Sequence, residues 1–173
     1  TNLDCHPSHL DFFKRTPNLN NLILNQDAIF VGGGNTKSML AVWKEWGLDK
    51  ILKKAYNNGI VMSGVSAGAI CWFQNGITDS WASNLKVMPC LNLIKGTCCP
   101  HYDEEPERTP TVKKLLLNEK LKSVYAVDGG AALHIKDEKI FKSVVFKKNK
   151  GSYQVSRDGK EILEKSFKKI NLI

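Results

Sequence analysis

The chain has 173 residues, 42% of them hydrophobic and 24% charged, with a formal net charge of +8. That length supports one domain with its own core and argues against two. The lysines fall in scattered pairs such as Lys113-Lys114, Lys147-Lys148 and Lys168-Lys169, with no basic stripe interleaved with aromatics, so nucleic acid is not the expected partner, while an acidic substrate is compatible.

Residues 1–26 are rich in Asn, Pro and Ser and read as a linker with a helical turn or two; His6 and His9 are expected to be solvated there. Residues 28–31, Ala-Ile-Phe-Val, are apolar on both faces, as in a buried parallel strand. Because the chain opens at Thr1 rather than Met and reaches its first strand only here, βα structure upstream of it is expected to be missing. The strand ends in Gly32-Gly33-Gly34-Asn35-Thr36, after which Met39, Leu40, Val42, Trp43 and Trp46 repeat at helical spacing as far as Gly47. Asn35 or Thr36 can cap that helix. Three successive glycines can point backbone N–H groups at a phosphate, but the Gly-x-Gly-x-x-Gly and P-loop spacings are absent. Their other use is to donate N–H groups from Gly33 or Gly34 to an oxyanion. A second helix is expected over 48–57, with Leu48, Ile51, Leu52 and Ala55 on one face and Lys50, Lys53 and Lys54 outside, stopped by Asn57-Asn58-Gly59.

The chain is organised around residues 60–68, Ile-Val-Met-Ser-Gly-Val-Ser-Ala-Gly. An apolar run delivers Ser66 onto a turn framed by Gly64 and Gly68, with a helix-like stretch over 67–74 behind it, which is the pattern of a nucleophile elbow. Small neighbours let the strand reverse sharply into the helix, and the N–H after the nucleophile, on Ala67, stays free for an oxyanion. Next come a loop at 76–80, an irregular stretch over 84–95 with Pro89 as a breaker, and a short buried strand over 96–102 ending at His101. Residues 103–108 read as an acidic, flexible tail to that strand, and 112–121 as a helix. Strands follow at 124–127, ending in Asp128-Gly129-Gly130, and at 131–135; residues 139–173 read as antiparallel hairpins on one edge. The alternation specifies an α/β fold: a mostly parallel sheet flanked by helices, with both special turns at the carboxyl ends of neighbouring strands.

A serine needs a base to take its proton, and the base needs an acceptor on its far nitrogen. His134 lies inside a strand pattern, whereas His101 follows a buried strand and a proline and opens a loop, so it is the better base. Asp79 and Asp128 each end an element and compete as the acceptor. The five cysteines, at 5, 71, 90, 98 and 99, show no Cys-x-x-Cys spacing, so zinc is not expected and reduced thiols are. With no bilayer-length apolar run and no signal-peptide core, the sequence reads as cytoplasmic and without a membrane partner.

Taken together, Val-Gly-Gly-Gly-Asn-Thr at 31–36, Gly-Val-Ser-Ala-Gly-Ala at 64–69, Thr-Asp at 78–79 and Pro-His-Tyr at 100–102 resemble peptidase E, the aspartyl dipeptidase family of serine peptidases, which has cyanophycinase-like relatives. The resemblance implies a class I glutamine-amidotransferase-like, flavodoxin-like domain covering residues 1–173, short at its N-terminus. It implies Ser66 as nucleophile, His101 as base, Asp79 as third member, and Gly33, Gly34 and Ala67 as oxyanion donors. Arg108 falls where the family has an arginine that recognises an N-terminal aspartate; the alternative is a solvated loop arginine paired to Glu104 or Glu105. Asn35 is expected to face substrate. The implied activity is hydrolysis of short peptides, with no metal or organic cofactor required. A glutamine amidotransferase proper would carry cysteine at the elbow, and Cys71 lies too far down the helix. The rival from another class is an inactive, truncated paralogue serving as a binding or assembly subunit. In either case a second copy or a partner chain is expected to cover the missing sheet edge.

Overall fold

A computed structural model describes residues 4–81 and 84–172, so the first three positions of the expected linker lie outside the described residues. The elements in chain order are α1 (Leu19–Leu24), β1 (Ala28–Val31), α2 (Thr36–Glu45), α3 (Leu48–Asn57), β2 (Val61–Gly64), α4 (Ala67–Ile70), β3 (Phe73–Thr78), β4 (Lys86–Pro89), β5 (Ile94–Cys99), α5 (Arg108–Leu117), β6 (Ser123–Val127), β7 (Ala131–Lys136), β8 (Lys139–Val145), β9 (Ser152–Asp158), β10 (Glu161–Ser166) and β11 (Lys169–Asn171).

β1 and β2 run parallel in register, from Ala28 opposite Val61 to Val31 opposite Gly64, so the triple-glycine turn and the elbow leave the same end of one two-stranded sheet. The main sheet has six strands in the order β10-β9-β6-β5-β3-β4, with β3, β5 and β6 parallel at its centre. β7, β8 and β11 form a third, small sheet. Of the strand pairings among the described residues, four are parallel and four antiparallel, so the α/β architecture is mixed rather than mostly parallel. The C-terminal strands include the expected β9–β10 hairpin, but β11 runs parallel to β8, and β9 lies inside the main sheet against β6.

α2 is capped by Asn35, whose side chain accepts from the Ser38 N–H at 2.9 Å. α3 buries Leu48, Leu52 and Ala55, leaving its lysines outside. The core has two parts on opposite faces of β5, and adjacent cysteines divide between them because successive strand residues point to opposite faces. Cys98 joins Trp43, Leu52, Ile70 and Trp72, while Cys99 joins Ile77, Val112, Leu116 and Val155 beneath α5.

Four expectations are corrected. The elbow helix stops at Ile70, and residues 73–78, read from the sequence as the end of a helix and the start of a loop, form β3. Gly76 allows this strand to lie against α4, since a Cβ there would sit 2.7 Å from the end of the Ile70 side chain. Residues 86–89 form β4 rather than irregular chain. α5 begins at Arg108, with Pro110 tolerated in its first turn. Finally, β1 is not buried on both faces, because Phe30 is 70% exposed.

Candidate active site

Close backbone approach builds the elbow. A Cβ on Gly68 would stand 2.1 Å from the Val31 carbonyl oxygen, and one on Gly64 would stand 2.2 Å from that of Gly68, so the end of β1 and the turn touch only because both positions are glycine. The Val65 N–H donates to the Val31 carbonyl at 3.0 Å and fixes the reversal. Ser66 is held at φ 55°, a left-handed conformation costly for a non-glycine residue.

His101 comes from the other sheet. It follows β5 through Pro100 and is also held at positive φ, 106°. The Val127 carbonyl at the end of β6 accepts from the N–H groups of both His101 and Tyr102, at 3.2 and 3.1 Å. This places His101 Nε2 2.7 Å from Ser66 Oγ. On the far side of the ring, Nδ1 lies 3.0 Å from Glu105 Oε1. A neutral imidazole satisfies both contacts when Nδ1–H donates to the carboxylate and Nε2 accepts the Ser66 hydroxyl proton. Burial holds the His101 pKa below its usual 6.5; Arg108 acts in the same direction, while Glu105, Glu104 and Asp79 oppose. The ring is therefore unprotonated, and ready as a base, at neutral pH.

Gly33 lies against the nucleophile, with its Cβ position 3.4 Å from Ser66 Cβ. Among the described residues, no hydrogen bond takes up the N–H of Gly33, Gly34 or Ala67, and Ala67 opens a helix, where the first donors lack intrahelical partners. A cavity of about 900 Å³ opens beside Ser66 and His101. Its lining includes the charged Glu104, Asp128, Asp137, Glu138 and Lys147 and the apolar Trp72 and Leu93.

The structure brings Ser66, His101 and Gly33 together, but not Asp79. Asp79 is exposed, makes no hydrogen bond to His101, and lines a separate cavity of about 570 Å³ with Trp81, Thr111 and Lys114. The reason is the early strand: with 73–78 extended in β3, Asp79 is carried past the ring. Its neighbours instead tie the sheets together. Thr78 Oγ1 lies 3.2 Å from the Thr36 hydroxyl and 2.8 Å from that of Ser80, and Asn35 Nδ2 donates to the Ser80 carbonyl at 3.1 Å. Asn35 thus has its oxygen in a helix cap and its amide on this loop, rather than facing a substrate. Asp128 is buried, and its Oδ2 accepts from the Gly151 N–H and the Tyr153 hydroxyl, both at 3.0 Å, so it does not orient the ring either; burial raises its pKa.

Arg108 is neither a solvated loop residue nor open to the cavity, being 1% exposed. Its Nε donates to Glu105 Oε2 at 2.7 Å and its Nη1 to the Ile77 carbonyl at 3.2 Å. The pairing of Arg108 with Glu105 is the alternative expected from the sequence; what sequence reading missed is Glu105 as the acceptor on His101. The signal was the four-residue step from His101 to Glu105, which meets across one turn, but 103–108 reads as a flexible acidic tail. That stretch is in fact a series of turns, with Glu104 N–H donating to the His101 carbonyl and Arg108 N–H to that of Glu105. Asp103 accepts from the Gly129 N–H and pairs with Lys150.

A serine on a strained strand-to-helix turn, with an imidazole and a carboxylate aligned behind it, is the arrangement that serine hydrolases of the elbow type use. The family model for peptidase family S51 matches residues 1–143, and the chain belongs to that family. It is 47% identical over 163 residues to the uncharacterized peptidase YgaJ of Bacillus subtilis, a match covering 94% of this chain and 70% of that protein. It is 29% identical over 120 residues to the uncharacterized peptidase Lmo0363 of Listeria monocytogenes, covering 66% of this chain and 58% of the relative. With Lin0382 of Listeria innocua, also an uncharacterized peptidase, the identity is 28% over 144 residues, covering 80% and 66%. The chain thus spans less than two thirds of the length of two of these three relatives. No helix among the described residues is long and apolar enough to cross a membrane.

Proposed function

We propose that this protein is a serine peptidase acting on short peptides, with Ser66 as nucleophile, His101 as general base and Glu105 as the carboxylate that orients the ring. The observation that carries the reading is the 2.7 Å contact between Ser66 Oγ and His101 Nε2, made by residues 35 positions apart. His101 takes the hydroxyl proton as Oγ adds to the peptide carbonyl; the tetrahedral oxyanion is met by N–H groups of Gly33, Gly34 and Ala67. The imidazolium then gives its proton to the leaving amine, the C–N bond breaks, and an acyl-Ser66 ester remains. Water, deprotonated by His101, hydrolyses that ester and restores the hydroxyl.

Dipeptides with N-terminal aspartate are the substrate class that the peptidase E resemblance implies. Lys147, which lines the cavity 3.9 Å from Glu104, is the cation that would meet the acidic side chain of such a substrate. A fluorophosphonate probe tests the nucleophile: it should label the wild type and not Ser66→Ala. Turnover of aspartyl against leucyl p-nitroanilide tests the preference. A folded wild type that is neither labelled nor active would refute the peptidase reading.

One observation favours the second reading, an assembly subunit: Phe30 and Val61, on β1 and β2, are 70% and 61% exposed. Light scattering decides it, since association that Phe30→Asp abolishes, in a protein inert to the probe, is the outcome this reading requires.

A further inference from the structure

We infer that Arg108 is a positioning residue, whose buried guanidinium clamps Glu105 against the Nδ1 side of His101 and so governs the rate of turnover rather than the choice of an acidic substrate. This role presupposes the Ser66–His101 peptidase site proposed above. Glu105 divides its two oxygens between two partners: Oε1 is 3.0 Å from His101 Nδ1, and Oε2 is 2.7 Å from Arg108 Nε. A carboxylate is planar, so fixing one oxygen on a rigid partner fixes the plane in which the other is offered. The rigid partner is Arg108, whose side chain is 2% exposed, whereas Glu105 is 35% exposed and would otherwise sample several rotamers.

Recognition of a substrate carboxylate needs a guanidinium edge that the substrate can reach. Here Nε faces Glu105 and Nη1 faces the Ile77 carbonyl. Arg108 is absent from the residues lining the cavity at Ser66, whereas Lys147 lines it, with its side chain against Gly130. A buried cation also requires its counter-charge, so withdrawing Arg108 to meet a substrate would leave Glu105 without its partner and cost more than an exposed pair would. Lysine is a poor replacement, because a point charge on a flexible stem does not define a plane.

The charged groups that act on the ring are Glu104 and Glu105 in the turn, Arg108 on α5 and, from farther off, Asp79 after β3; across the cavity stand Asp128 after β6, Asp137 and Glu138 between β7 and β8, and Lys147 after β8. Arg108 alone among the first four disfavours the imidazolium. Its removal therefore makes the ring easier to protonate, and the acidic limb of kcat/KM moves to higher pH.

The experiment measures kcat, KM and pH profile on aspartyl and leucyl p-nitroanilides for the full chain and for Arg108→Ala, Arg108→Lys, Glu105→Gln and the Glu105→Gln/Arg108→Ala double variant. Arg108→Ala should lower kcat about 10- to 100-fold on both substrates, leave KM within about 3-fold, and shift the acidic limb upward. Arg108→Lys should recover part of kcat, and the double variant should be little worse than the poorer single one. A loss confined to the aspartyl substrate and expressed in KM, an unmoved acidic limb, or fully additive single effects would each overturn the role. Should Arg108→Ala fail to fold by circular dichroism, Arg108→Lys carries the same kcat-against-KM comparison. An inactive, unlabelled but folded wild type refutes the peptidase site itself and this role with it; a normal wild type with an aspartyl-selective Arg108 defect refutes this role alone.

Discussion

Gly68→Ala is the sharpest test of how the elbow is built. The new Cβ would lie 2.1 Å from the Val31 carbonyl oxygen and 2.7 Å from that of Gly32, both backbone atoms with no rotamer to yield. To reach even 3.0 Å from the first, the turn and the end of β1 must separate by 0.9 Å, the difference between 3.0 and 2.1. The same movement carries Ser66, two residues earlier, away from His101. Overpacking of this kind costs about 1–3 kcal/mol, and a displacement near 1 Å in a reacting group costs about 100-fold in rate. Urea unfolding gives the first number and the fluorophosphonate labelling rate the second. Gly32→Ala is the control, since nothing lies within 4 Å of its Cβ position, and it should be within about 0.5 kcal/mol of wild type. A Gly68→Ala protein with wild-type stability and labelling rate would refute the close-approach account.

Three further outcomes are expected. Glu105→Gln should lower kcat by about 100-fold or more, through loss of the acceptor that holds the imidazole, whereas Asp79→Asn should change it less than about 3-fold; a reversed order, read from p-nitroanilide turnover, would restore Asp79 as the third member. The acidic limb of kcat/KM should fall below pH 6.5, because burial and Arg108 lower the His101 pKa; activity rises as the ring loses its proton, and since Glu105 favours the protonated ring, Glu105→Gln should move the limb lower still. Thr78→Val should destabilise the protein by about 1–3 kcal/mol in urea, because the Thr36 hydroxyl, in a residue 2% exposed, loses its partner; unchanged stability would remove this bond from the links between the sheets.

The parts of the site that were legible were those encoded by local backbone demands. Glycines at 64 and 68 around a serine mean a turn that no larger residue permits, and the contact distances show why. His101 was readable because a buried strand and a proline lead into it. Glu105 was not, because charged residues in a row carry the same pattern whether they are solvated or locked, and what locks them is Arg108, buried by the packing of α5. The extent of β3 was hidden for a related reason: Gln74, Asn75 and Gly76 separate its apolar Phe73 and Ile77, so neither a helical nor an alternating period stands out, and tertiary pairing with β5 and β4 decides.

Ser66 and His101 belong to different sheets, and their 2.7 Å separation is set by whatever joins those sheets. Two kinds of link are present. α4 packs on β1, β2 and β3 and leads from the elbow straight into the main sheet, while the hydroxyls of Thr36, Thr78 and Ser80, with the Asn35 amide, bind the glycine turn to the end of β3. The segment that sequence reading singled out around Asp79 is thus placed to act on the site mechanically, through Thr78 and Ser80, rather than through the aspartate's charge. The same holds for Asn35 and Arg108: each directs its polar atoms at protein groups that fix a reacting residue or its partner. A site assembled across two sheets needs such struts, since the proton passes only while donor and acceptor stay within hydrogen-bond reach.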